Sequence, residues 1–238
     1  MEINKIYLGD CYKLIQQIPD KSIDCIYTDI PYLFSTGGST GGSILNKQIN
    51  KIKQELKEIS QGIDWVILDD FVRVMKKINC FIWCSKEQIL YLLNYFKSKG
   101  AMFEILTWNK YNPTPMTNNT YLPDIEYCLY FREKGVQLNG GYGLKSKWYQ
   151  STANKHDKMI FDHPTIKPLD LVKRHILHAT QLKDVILDPF IGSGTTAIAA
   201  KELGRNYIGI EIDPKWHRIA VDRLNNIDAR GQVSFILR

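Results

Sequence analysis

Apolar residues in this chain fall into short β-branched and aromatic runs with helical periodicity between them. The runs are Ile3–Leu8, Ile23–Thr28, Cys80–Cys84, Met102–Trp108, Ile125–Phe131, Val185–Leu187 and Tyr207–Ile210. Between them, Ile63, Val66, Ile67, Phe71, Val74, Met75 and Ile78 recur at helical spacing and predict one helix over Ile63–Ile78. Gln88–Lys97, Leu169–Leu177 and Ala197–Leu203 read the same way, and Val233–Leu237 is a candidate final strand. Strands alternating with helices predict an α/β fold, a mostly parallel sheet with helices on both faces.

Two stretches break the pattern. Leu33–Gly62 holds Gly37-Gly38-Ser39-Thr40-Gly41-Gly42-Ser43 and then a Lys-rich amphipathic piece, Asn46–Ile59. Its glycines predict flexibility; a lid over a substrate and a plain surface loop are both open. The stretch Lys110–Pro168 is rich in Asn, Tyr, Gly and Lys, and is the natural place for a substrate-recognition insertion over 110–165. The 238 residues suit one domain spanning 1–238, and 44% hydrophobic with 24% charged residues excludes global disorder.

A net charge of +6 leans modestly toward a polyanionic partner. No apolar run reaches membrane-spanning length and the first residues carry no signal pattern, so a cytoplasmic protein without membrane association is expected. Five cysteines without regular spacing read as reduced thiols. Cys80 and Cys84 share a strand face, but with no second ligand pair nearby they read as core, and no metal site is expected.

Two segments carry the chemistry. Thr28-Asp29-Ile30-Pro31-Tyr32 is an acid-X-Pro-aromatic corner at the end of an apolar strand. Asp188-Pro189-Phe190-Ile191-Gly192-Ser193-Gly194-Thr195 follows a second strand and opens a helix. Glycines there let the backbone approach a ligand, and the helix start offers free amides. Glu211, at the end of the next strand, is placed to accept the ribose hydroxyls of an adenosine-type cofactor. The G-x-G-x-x-G of a dinucleotide site is absent, since Gly194 is followed by Thr195, Thr196 and Ala197. An acidic residue before a short turn suits a cationic sulfonium better than a pyrophosphate.

The two segments, with the corner preceding the glycine loop, resemble the circularly permuted beta group of DNA adenine-N6 and cytosine-N4 amino-methyltransferases. The resemblance implies a class I, Rossmann-like, seven-stranded fold and S-adenosyl-L-methionine as cofactor. It implies a cofactor site built from Asp10 (adenine), Asp188 (methionine part), Glu211 (ribose), Phe190, Gly192, Ser193, Gly194 and Thr195. His163-Pro164-Thr165-Ile166-Lys167-Pro168 adds Thr165 and Lys167 at the methionine end; Asp10 as a plain helix N-cap is the competing reading.

Catalysis is assigned to Asp29, Ile30, Pro31 and Tyr32. An exocyclic amino group is a poor nucleophile until two acceptors engage its N–H bonds. The Asp29 carboxylate and the Ile30 carbonyl supply them, Pro31 stiffens the turn, and Tyr32 stacks on a flipped base. Ile30 departs from the family's usual proline, which loosens the loop. Asp29 in first place favours adenine by analogy. Cytosine-N4 methylation and a non-catalytic DNA-binding subunit are the alternatives; an oxidoreductase is a distant third. Lys110, Lys145, Lys147, Lys155 and Lys158, interleaved with Tyr142, Trp148 and Tyr149, are candidate contacts to double-stranded DNA. A homodimer and a restriction or specificity partner stay open.

Overall fold

The computed structural model describes residues 1–32, 62–113, 121–152 and 166–226. The stretch 33–61 with its Asn46–Ile59 piece, Lys155, Lys158, Thr165 and Val233–Leu237 therefore lie outside the described residues. Those described form one sheet in the order β1 (Lys5–Leu8), β8 (Asn206–Glu211), β7 (Val185–Asp188), β2 (Cys25–Asp29), β3 (Asn79–Cys84), β5 (Ile125–Arg132), β4 (Met102–Lys110) and β6 (Trp148–Ser151). Every neighbouring pair is parallel except those made by β5, which runs against β3 and β4. The seven expected strands are present; β6 is an eighth. It is a four-residue edge strand of alternating exposure, too short and polar to stand out in the sequence.

The central strands β2 and β3 are apolar nearly throughout because both their faces are covered. Alternate residues go to opposite cores. Ile26, Cys80 and Ile82 meet Ile67, Phe71, Leu92 and Phe96 on one face. Tyr27, Phe81 and Trp83 meet Val172, Ile176, Ile198 and Ala220 on the other. The covering helices on the first face are α2 (Ile67–Val74) and α3 (Ile89–Ser98), with the short α1 (Cys11–Leu14) beside them. On the second face lie α4 (Leu169–Ala179), α5 (Thr195–Glu202) and α6 (Pro214–Asn225). No helix among the described residues is long and apolar enough to cross a membrane.

The helix expected over Ile63–Ile78 is shorter than its apolar periodicity suggested. Asp64 caps the turn before it by accepting from Val66 N at 3.1 Å. At the other end Met75 leaves the helix to bridge Ile23, and Lys76 N donates to Ile23 O at 2.8 Å. Met75 and Ile78 are buried through that strand-like exit, so helical spacing and strand burial coincide in the sequence.

Helix α5 is buried on all sides, from Thr195 to Ala200. Gly194, with φ of 86°, starts it; a Cβ there would lie 2.9 Å from the Ala220 Cβ of α6. Gly194→Ala combines a left-handed backbone with an overpacked helix crossing, and is expected to lower stability by about 1–3 kcal/mol. Denaturant titration of the purified variant checks this; a loss under about 0.5 kcal/mol, the range of a neutral surface change, refutes it.

Candidate active site

Parallel strands bring their carboxyl ends to one side of the sheet, where ligands of open α/β folds bind. Here the ends of β1, β8, β7, β2 and β3 bring together Asp10, Glu211, Asp188 and Asp29. Asp29 and Asp188 stand far apart in sequence, yet their strands are neighbours, with Cys25 opposite Ile186 and Ile26 opposite Leu187.

At the corner, the Asp29 Oδ2 accepts from the buried Lys167 ammonium, while Oδ1 is buried and has no hydrogen-bond partner among the described residues. Lys167 also donates to the Tyr32 hydroxyl at 3.2 Å and forms an ion pair with Glu126 Oε2 at 3.0 Å. Glu126 is held from its other oxygen by Lys110, at 2.5 Å. Two cations and two anions thus alternate in one cluster. Burial raises the Asp29 pKa, and Lys167 works against it while Glu126 adds to it. Burial acts on Glu126 as well, but Lys167 and Lys110 outweigh it and hold that carboxyl at about 2. Lys167 is pushed up: burial opposes its charge, and the Asp29 and Glu126 carboxylates more than offset that.

Ile30 points its side chain into the core and donates its N–H to Trp83 O at 3.2 Å. Only its carbonyl is left for a ligand. The sequence reading put Lys167 at the methionine end; its ammonium is engaged with Asp29 instead. The reading also offered Lys110 to phosphates, and here Lys110 belongs to the Glu126 ion pair. Both departures arise because β4, β5 and the start of α4 converge on β2, which no local spacing reveals.

In the glycine loop, Asp188 Oδ2 accepts from Thr196 Oγ1 at 2.6 Å and Oδ1 from Phe190 N at 3.1 Å. Burial pushes its carboxyl up to about 7, with the hydrogen bonds working against burial. Glu211 accepts from Gly192 N at 2.8 Å and Asp213 N at 2.9 Å, which fastens the loop to β8. Burial raises its pKa, and those amides counteract the rise. Asp10 caps α1 by accepting from Tyr12 N at 3.0 Å, beside Glu211 through the Leu8–Glu211 register. The capping reading is therefore realised, at a position lining the same side of the sheet.

The hydroxyls of Ser193 and Thr195 turn to the buried guanidinium of Arg223, at 2.9 and 3.3 Å. Arg223 also donates to Ser193 O at 2.5 Å, so it holds the loop from behind. Sequence reasoning missed this residue; a lone basic residue on an amphipathic helix carries no signal of burial. It missed Gly209 too, where a Cβ would lie 2.4 Å from Ile191 Cδ1 and displace the loop. Among the described residues no cluster of His, Cys, Asp and Glu could hold a metal ion. Buried carboxylates and a close-approach loop, with no cation paired to those carboxylates among the described residues, suit a cationic adenosine-type ligand.

Removing Lys167 tests the cluster. In Lys167→Met the two carboxylates face each other without their shared cation, and stability falls by up to about 3 kcal/mol at pH 8. The folded-state carboxyl pKa then rises above its unfolded value, so the loss grows as pH rises through that window and shrinks below it. Urea titrations at pH 5 and pH 8 check the sign; an equal loss at both refutes it.

The sequence pattern of the family described as DNA methylase, of N6 and N4 type, matches residues 23–222. Type II methyltransferase M2.LlaDCHI of Lactococcus lactis subsp. cremoris is 34% identical, over 91% of this chain and 87% of its own. Type II methyltransferase M2.MboI of Moraxella bovis is 32% identical, over 93% and 88%. The crystal structure of an M1.HpyAVI–SAM complex superposes with a TM-score of 0.69 at 26% identity, covering 93% of this chain and 98% of that one. With a match of this extent and both loops assembled at one end of the sheet, the chain belongs to the DNA methylase family.

Proposed function

We propose that this protein transfers a methyl group from S-adenosyl-L-methionine to the exocyclic N6 of an adenine flipped out of double-stranded DNA. The observation that carries the reading is the asymmetry of Asp29: Oδ2 is neutralised by Lys167, while the buried Oδ1 has no hydrogen-bond partner among the described residues. A buried carboxylate oxygen without a donor is costly, and an amino N–H relieves that cost.

Asp29 Oδ1 and the Ile30 carbonyl accept the two N–H bonds, drawing the nitrogen lone pair out of the ring. Tyr32 gives the base a face to stack on, worth about 1–3 kcal/mol. Burial raises its phenol well above the usual range, so it stays neutral. When bound, S-adenosylmethionine supplies an electrophilic methyl on a sulfonium. Asp188 would hold its methionine part and Glu211 its ribose. Asp10 would face the adenine, and Gly192, Gly194 and Phe190 would line its approach; Ser193 and Thr195 contribute main chain only. No thiol serves as nucleophile: burial, with the Asp29 charge adding to it, pushes Cys84 up to about 12.

An open cleft of about 300 Å³ at the β6 edge, lined by Tyr111, Ser146, Trp148, Tyr149, Gln150 and Arg174, supports DNA contact at that edge of the sheet. Trp148 is 57% exposed and fits strand stacking. Of the stretch 110–165 set aside for recognition, Ile125–Arg132 is β5 inside the sheet, so recognition rests on the segments flanking β5 and on β6. Phe103, Ile105 and Ile125, each about two-fifths exposed on one sheet face, support self-association as a homodimer. Co-purification would test a restriction or specificity partner. The free, buried cysteines support a cytoplasmic setting.

Incubation with labelled S-adenosylmethionine and unmethylated DNA, then digestion to nucleosides and mass spectrometry, is expected to yield N6-methyladenine. N4-methylcytosine would overturn the base assignment. Asp29→Ala is expected to reduce transfer by about 10²–10³-fold while cofactor binding persists. Cofactor affinity is also expected to rise as pH goes from 6 to 8, because Asp188 ionises near 7 and its anion favours a cationic ligand. Calorimetry of Asp188→Asn should show that dependence flattened; an unchanged slope refutes the role.

A further inference from the structure

Ile30 is the second acceptor of the reading above, and it lacks the ring that stiffens this position in the family pattern. Its carbonyl must nevertheless point at one place. Two ties from the end of β3 flank it. The Ile30 N–H donates to Trp83 O at 3.2 Å, a bond that a proline could not make. On the other side, the Pro31 carbonyl accepts from Gln88 Nε2 at 2.9 Å.

Gln88 is fully buried, in the turn leading from β3 into α3. Its other side-chain atom, Oε1, accepts from Ser85 N at 2.9 Å. A buried glutamine is costly unless both ends of its amide are matched, and here each is spent on backbone. The side chain therefore links the end of β3 to the corner. With the Ile30 N–H fixed on one side and the Pro31 carbonyl on the other, the intervening peptide has little freedom to rotate. Pro31 adds its own fixed φ and confines Ile30 to extended conformations.

We propose that Gln88 is a positioning residue for methyl transfer: it aims the Ile30 carbonyl at the target amino group. The proposal deepens the function proposed above and rests on it. Gln88 touches neither base nor cofactor; it acts through Pro31.

The test compares the parent with Gln88→Met and Gln88→Leu in the whole chain on DNA. Gln88→Met keeps the length and volume but has no donor for Pro31, so it carries the test if the leucine variant misfolds. Both variants are expected to lose about 10–100-fold in kcat, as misplacement of a reacting group does. KM for DNA and the Kd for S-adenosylmethionine should stay within about twofold, since uniform binding is untouched. The acid limb of the pH profile should also stay in place for Gln88→Leu, because no charge is changed. A folded Gln88→Met with parental kcat overturns the proposal, as does a loss of kcat matched by loss of cofactor affinity, which marks a merely structural role. An inactive parent would instead overturn the methyltransferase reading beneath it.

Discussion

The site is organised by one ammonium group. Lys167 reaches from just before α4 to touch Asp29 on β2, Glu126 on β5 and Tyr32 beyond the corner. Glu126 in turn is anchored to β4 through Lys110. Buried ion pairs add little net stability, because desolvation offsets much of their attraction. Their effect here is on charge and direction. Burial raises the Asp29 carboxyl pKa, and Lys167 opposes that rise. With Lys167 on Oδ2, the carboxylate stays an acceptor and presents Oδ1 alone. Position, charge and the open oxygen are set by the same contact.

Among the described residues, no cation pairs with the carboxylates of the opposite half of the site. Asp188 and Glu211 are buried and take their compensation from hydroxyl and amide donors instead. That compensation is incomplete, as the elevated Asp188 pKa of about 7 shows. A pocket with uncompensated negative character beside a neutralised one separates two tasks. Under the proposed function, one side would take a cationic cofactor and the other would engage a neutral amino group. The loop between them is shaped by what packs behind it: Arg223 under Ser193, Ala220 against Gly194, and Gly209 leaving room for Ile191.

Legibility differed between these parts for physical reasons. Strands β2, β3, β7 and β8 are near-continuous apolar runs because both faces are buried, and such runs are read directly from sequence. The glycine loop and the corner were equally legible, since each needs particular residues at fixed local spacing. The helix over Ile63–Ile78 was read too long because Met75 and Ile78 are buried by a strand-like exit. Strand β6 escaped because its pairing with β4, not its own composition, makes it a strand.

The sequence by itself determined the fold class, the order of the two loops and the residue types that chemistry requires, because each is written in short-range pattern. Only the tertiary structure decided what those residues face. Lys167 belongs to the corner, Ser193 and Thr195 turn to Arg223, and Asp29 keeps one oxygen open. These are matters of which strands and helices become neighbours across separations of 28 to 138 residues of chain. Long-range adjacency leaves no periodic trace in sequence, whereas desolvation and charge pairing act only once it is made.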